Sequence, residues 1–161
     1  MLTREAATRV TMTDPNVRPT FVQDRAAFTA RIDRMIGLSD IVKLSDEDSN
    51  WLYGKTDPQA LLAKGAKVVL VTEGSKGATA YTARGSVQVA APKITVADTV
   101  GAGDTFNAGF LASLDRDGLL TKTQVATLSD DALRNALSLG TRAAAITCSR
   151  PGANPPWAHE L

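Results

Sequence analysis

The apolar positions of this chain fall into short β-branched runs and helical stripes that alternate along the sequence. Val10 to Thr13 (VTMT) predicts a short strand that stops at Asp14-Pro15-Asn16, because Pro15 and Pro19 interrupt regular structure. Asp24 predicts the cap of a helix through Ile36, with Phe28, Ile32 and Met35 on one face. Ile41-Val42-Lys43-Leu44 follows as a strand. Ser45-Asp46-Glu47-Asp48 then opens a short helix, and Asp57-Pro58 opens another that ends near Gly65. Lys67 to Thr72 (KVVLVT) is the clearest buried strand, a β-branched run between a glycine stop and a glycine turn. Lys76 to Thr82 and Ser86 to Ala91 predict a hairpin turned at Arg84-Gly85. A strand-loop stretch from Ile94 to Thr99 leads into Gly101-Ala102-Gly103-Asp104, where a helix to about Asp115 begins. Ser129, with Asp130 and Asp131, caps a last long helix from about Asp131 to Thr147. Ser149 to Trp157 (SRPGANPPW) is too rich in proline and glycine to be anything but an irregular loop. Helix and strand in alternation predict an α/β fold with a mostly parallel sheet covered by helices.

Composition narrows the function more than the fold. The 161 residues suit one compact domain, and 43% apolar with 22% charged residues is the balance of an ordinary globular protein. Eighteen basic and seventeen acidic side chains leave a net charge of +1, which argues against a uniform field for nucleic acid or an anionic membrane. The single cysteine, Cys148, cannot form an internal disulfide, so a reducing cytoplasm is expected. With His159 as the only histidine, a Cys/His zinc site is excluded, and a Ser-His-Asp triad would have to draw on the chain's end. No apolar run approaches the ~20 residues a bilayer span needs, and MLTREAATRV lacks a signal peptide's apolar stretch.

Candidate chemistry concentrates in Asp98 to Gly109 (DTVGAGDTFNAG). Small residues at 101 to 103 let backbone amides converge, and the following helix aims the positive end of its dipole at the same place. That pattern predicts an anion pocket. A carboxylate inside it, at Asp104, repels a bound phosphate unless it takes a proton from an incoming hydroxyl. On residue types alone a second reading stands beside this one: Asp104 complements the helix dipole, and the glycines make a turn. Two other phosphate motifs fail. Gly101-Ala102-Gly103 is followed by Phe106 where a dinucleotide fingerprint has its third glycine. Gly54-Lys55-Thr56 looks like the end of a P-loop, but Ser49 replaces the first glycine and Trp51, Leu52 and Tyr53 fill the loop. It reads as a helix end and a turn.

Asp98 to Gly109 is similar to the second signature of the ribokinase-like, PfkB-type carbohydrate kinases. The resemblance continues in order through Asp14-Pro15-Asn16-Val17-Arg18-Pro19, Asp40 to Asp48, Val71-Thr72-Glu73-Gly74 and Ser149 to Trp157. The first and last of these blocks resemble bacterial fructokinases in particular. It implies a three-layer αβα ribokinase-like (Rossmann-like) sheet and ATP-dependent phosphorylation of a sugar hydroxyl with Mg²⁺, fructose being the implied sugar. By the same resemblance Asp104 is the general base, and the backbone of Gly101, Ala102 and Gly103 is the anion hole for the transferring phosphoryl group. Thr72 and Gly74 fall where relatives line the ATP site, and Gly152, Ala153 and Asn154 fall near the adenine. Arg18, with Asn16 in the same block, falls towards the sugar; a surface ion pair is the other reading of Arg18.

The chain departs from the family pattern in three respects. Ser45 and Asp48 stand where many relatives have Asn-x-x-Glu, so Asp48 is expected to act on Mg²⁺ through water. Asp98 and the Val100 carbonyl could hold a monovalent cation such as K⁺, although Pro156 replaces a serine that some members offer. Finally, residues 1–161 resemble only the C-terminal, nucleotide-binding and catalytic half of such kinases, without the β-sheet lid and the paired-glycine first signature. Self-association, or pairing with a complementary N-terminal half, is therefore expected, through an open sheet edge and uncovered apolar surface. A non-catalytic nucleotide-binding or scaffold module carries the same motifs, and a fragment that binds nothing is the blandest alternative.

Overall fold

The computed structural model describes all residues, 1–161. Its strands are β1 (Met12–Thr13), β2 (Ile41–Ser45), β3 (Val68–Thr72), β4 (Ala78–Thr82) and β5 (Gly85–Val89), in one sheet ordered β1-β2-β3-β4-β5. The helices are α1 (Leu2–Glu5), α2 (Arg25–Ile36), α3 (Asp46–Tyr53), α4 (Pro58–Ala63), α5 (Ala102–Arg116), α6 (Lys122–Val125) and α7 (Asp130–Cys148). β1, β2 and β3 pair in parallel, and the β4–β5 hairpin makes the sheet mixed. The α/β class expected from the alternating pattern is the one observed.

The chain is described as two compact units. Unit 1 comprises residues 1–72, 80–86 and 121–127; unit 2 comprises residues 73–79, 87–120 and 128–161.

In unit 1, β2 and β3 are buried on both faces, as continuous β-branched runs require. Ile32 and Ile36 of α2, Leu52 of α3 and Leu61 of α4 pack on Val42, Leu44, Val69 and Val71. Two charged groups sit in this apolar setting. Lys43, in the middle of β2, has a side chain only 6% exposed and pairs with Asp14 at 3.2 Å. Asp40, just before β2, accepts from Thr11 N–H (2.9 Å), Thr11 Oγ1 (3.2 Å) and Lys122 Nζ (2.7 and 2.9 Å). Those bonds explain a difference from expectation. Strand β1 is two residues long, not four, because the Thr11 N–H is bonded to a carboxylate instead of a ladder. α1 and α6, four residues each, escaped the sequence reading because one helical turn carries no periodicity.

In unit 2, α5 and α7 pack closely. A Cβ added at Gly109 would lie 2.9 Å from Gly140 Cα, so the two helices meet backbone to backbone. Phe106, Phe110, Leu114, Leu133 and Leu137 fill the rest of that interface as buried side chains. Residues 94–99 form no strand, contrary to the strand-loop expectation. The Ala97 and Asp98 amides donate instead to the Cys148 carbonyl at the end of α7, at 2.8 and 3.2 Å. No helix is long and apolar enough to cross a membrane.

Candidate active site

Unit 2 holds the glycine-lined segment. Gly101 immediately precedes α5 with φ +79°, a left-handed conformation that costs a residue with a side chain. The turn ahead of it closes through Ala102 N–H to the Thr99 carbonyl at 3.2 Å, and Thr105 N–H donates to the Gly101 carbonyl at 2.9 Å. The amides of Gly101, Gly103 and Asp104 have no acceptor in the protein. Of the three amides expected to form an anion hole, Ala102 is therefore already committed, and the Asp104 amide joins the free set. Asp104 itself is exposed in the first helical turn, and its carboxylate accepts no hydrogen bond from the chain.

The cradle is braced from two sides. Thr105 Oγ1 donates to the Gly101 carbonyl (2.8 Å), and the buried Thr147 of α7 donates in turn to Thr105 Oγ1 (3.2 Å). Asp98 Oδ1 accepts from Val100 N–H (3.1 Å), and Asp98 Oδ2 accepts from Gly152 N–H (2.9 Å). Asp98 thus joins the segment before the cradle to the loop at 149–157, whose Ala153 packs over Gly101. Backbone donors from Val100, Gly152 and Thr99 hold the Asp98 carboxyl below its ordinary range. Burial, with Asp98 nearby, pushes the Cys148 thiol up, away from reactivity. Gly74 opens a short 3-10 turn and is exposed, and Gly152, Ala153 and Asn154 are exposed as well.

Unit 1 holds the remaining candidates. Thr72 is the last residue of β3 and half-buried. Asn16 is the one non-glycine residue with positive φ (+42°), and its N–H donates to Asp14 Oδ1 at 3.1 Å. Arg18 makes no ion pair, which removes the surface ion-pair reading; its guanidinium donates to the Val17 carbonyl at 3.1 Å. Asp48 is 8% exposed and occupied on both oxygens. It completes a capping box with Ser45, accepting Ser45 N–H (3.2 Å) and Oγ (2.7 Å), and its other oxygen accepts Val17 N–H (2.8 Å). The carboxylate expected at a metal therefore anchors the Asp14–Arg18 segment. Lys43 was missed in the sequence reading, although a lysine inside an apolar strand is itself a sign that a buried acid must meet it. Gly54 ends α3, so Gly54-Lys55-Thr56 is a helix terminus. An open cavity of about 470 Å³ lies beside the N-terminal segment, lined by Met1, Leu2, Glu5 and Arg9 among others, and contains none of the candidate residues.

Residues 1–160 match the pfkB family carbohydrate kinase. The chain belongs to that family. Among family members, a fructokinase of Rhizobium leguminosarum bv. trifolii is 54% identical over 139 residues, covering 84% of this chain and 43% of that protein. A double-mutant fructokinase of Vibrio cholerae O395, solved in a fructose-, ADP- and potassium-bound form, superposes with a TM-score of 0.75 at 27% identity. That match covers 88% of this chain and 45% of the Vibrio chain. A fructokinase of Xylella fastidiosa with bound ATP reaches a TM-score of 0.83 at 24% identity, over 94% of this chain and 50% of its own, and speaks to the fold alone. The chain spans about half the length of the family members it matches.

Proposed function

We propose that this chain is the nucleotide-binding and catalytic portion of an ATP-dependent sugar kinase of fructokinase type. The observation that carries the reading is the pairing at the start of α5: an exposed, unbonded Asp104 carboxylate beside the unpartnered amides of Gly101, Gly103 and Asp104. In that arrangement Asp104 removes the proton from a sugar hydroxyl as its oxygen attacks the γ-phosphorus. The P–O bond to the β-phosphate breaks, ADP leaves, and the amides and the α5 dipole offset charge on the transferring group. Gly152, Ala153, Asn154 and Gly74, which share unit 2 with Asp104, belong to the nucleotide side of this reading. Fructose is the proposed sugar, from the identity with the Rhizobium fructokinase.

Mg²⁺ enters this scheme on the nucleotide's phosphates, as is usual for that ion. Asp48, expected to act on that ion through water, carries three donors on its two oxygens. Asp98 is likewise engaged by two amides, and the reading needs no monovalent cation there.

Calorimetry with MgATP tests the nucleotide half of the proposal, and binding in the millimolar range or tighter is expected. Turnover is measured with fructose, with the N-terminal part of the Rhizobium fructokinase added in trans. Asp104→Asn should lower it by about 10²–10⁴-fold while sparing ATP affinity. An active Asp104→Asn protein removes Asp104 from the role of base. ATP binding without turnover under any condition favours a non-catalytic nucleotide-binding module.

A further inference from the structure

Thr147 is wholly buried in the last turn of α7, yet it lies against the turn that shapes the cradle. Its Cγ2 sits 4.0 Å from where a Gly101 Cβ would lie, and its hydroxyl is 3.2 Å from Thr105 Oγ1. All three residues belong to unit 2. A buried helical threonine can satisfy its hydroxyl on the carbonyl four residues back, and the Ala143 carbonyl is there at 3.1 Å. The bond across to α5 is therefore more than α7 itself requires. The Gly101 carbonyl can only accept, so Thr105 Oγ1 donates to it (2.8 Å) and must accept from Thr147. The same carbonyl accepts the Thr105 amide at 2.9 Å, and the N–H at the other end of that peptide unit, Ala102, donates to the Thr99 carbonyl at 3.2 Å. The peptide plane between Gly101 and Ala102 is thus clamped at both ends. It separates the unpartnered Gly101 amide from those of Gly103 and Asp104, so its tilt fixes their relative direction.

We propose that Thr147 is a positioning residue for phosphate binding: through Thr105 it holds the Gly101–Ala102 peptide in the orientation that turns the free amides of the cradle toward one anion. The inference rests on the reading of the cradle as a phosphate site and adds a determinant of its affinity that touches no ligand. Amides aligned beforehand bind charge better than amides that must reorient, because ordering on binding subtracts from the interaction. Gly109 and Gly140, where α5 and α7 meet backbone to backbone, bring Thr147 within reach.

The test uses the whole chain and two probes, MgATP and tripolyphosphate, titrated by calorimetry. Thr147→Val keeps the shape of the side chain and removes its hydroxyl; Thr147→Ser keeps the hydroxyl and removes a methyl. Thr147→Val should weaken both probes about three- to tenfold. Thr147→Ser should bind them like the parent, although loss of the buried methyl lowers its melting temperature. Affinity then follows the hydroxyl and not the stability, which a purely structural role for Thr147 does not produce. Adding Thr147→Val to Thr105→Val should weaken binding no further than Thr105→Val alone, since Thr147 acts through Thr105. Should Thr147→Val not fold, Thr147→Ala takes its place with the same expectations. Parent affinity in the variant without the hydroxyl, an equal loss in Thr147→Ser, or losses that add across positions 105 and 147 overturn the proposal and leave the cradle standing. Failure of both probes to bind the parent overturns the cradle reading and this inference together.

Discussion

Gly101 joins two demands at one residue: a left-handed turn before α5, and room for Ala153, whose Cβ lies 3.1 Å from where a Gly101 side chain would begin. Gly101→Val violates both. It should destabilise the protein by about 2 kcal/mol and weaken ATP binding, read by urea denaturation and by calorimetry. The neighbouring Asp98 makes a pH prediction. Its carboxyl is held below the ordinary range by amides of Val100, Gly152 and Thr99, so its bonds favour the folded state wherever it is ionised. That contribution is complete above the ordinary aspartate range and is lost as pH falls through the lowered folded value. The protection of the Gly152 amide, its exchange rate relative to the intrinsic rate at each pH, should therefore hold at neutral pH and be lost in acid, below the point where most surface aspartates have already protonated. A Gly152 amide without protection at neutral pH contradicts the tie. At this scale the sequence was informative about types and silent about commitments. Asp48 and Asp104 are both acids in helical first turns, but only the structure shows one fully bonded and the other unbonded.

At the scale of elements, the signals that proved readable were those with a local cause. Asp24, Ser45, Asp57 and Ser129 each accept a first-turn amide as their positions suggested. The failures were the elements without a local cause, namely the shortened β1, the single-turn helices α1 and α6, and the 94–99 segment, which forms no strand. The α5–α7 contact lies between these cases. Gly109 and Gly140 lie inside helices, and the close approach of α5 and α7 is their reason: added Cβ atoms would sit 2.9 Å from Gly140 Cα and from the Phe106 carbonyl. Gly109→Ala should cost about 1–3 kcal/mol by forcing the helices apart, while Ala108→Leu, on the exposed side of α5, should change stability by less than about 0.5 kcal/mol. Chemical denaturation of the two variants checks the contrast, and equal losses would contradict the close approach.

At the scale of the molecule, both compact units are assembled from three separated stretches of sequence. The nucleotide candidates fall in both: Thr72 in one, Gly74 and the 152–154 loop in the other. A ligand that binds only the folded chain stabilises it by mass action, by about 2.7 kcal/mol at a hundredfold excess over Kd. MgATP at that excess should raise the melting temperature by roughly 5–10 °C. Asp104→Asn should shift to the same extent, because the carboxylate is proposed to act on the sugar and not on the nucleotide. An unmoved melting temperature contradicts nucleotide binding.

The sequence by itself determined the class of fold, the caps, the buried strands and the family, because propensity, periodicity and a short glycine-acid signature act over a few neighbouring residues. Tertiary structure alone decided which polar groups are already bonded to distant partners: Lys43 to Asp14, Lys122 to Asp40, Asp48 to Val17 and Asp98 to Gly152. Those pairings join residues far apart in the chain, and a hydrogen bond or ion pair depends on distance in space, which local sequence does not encode.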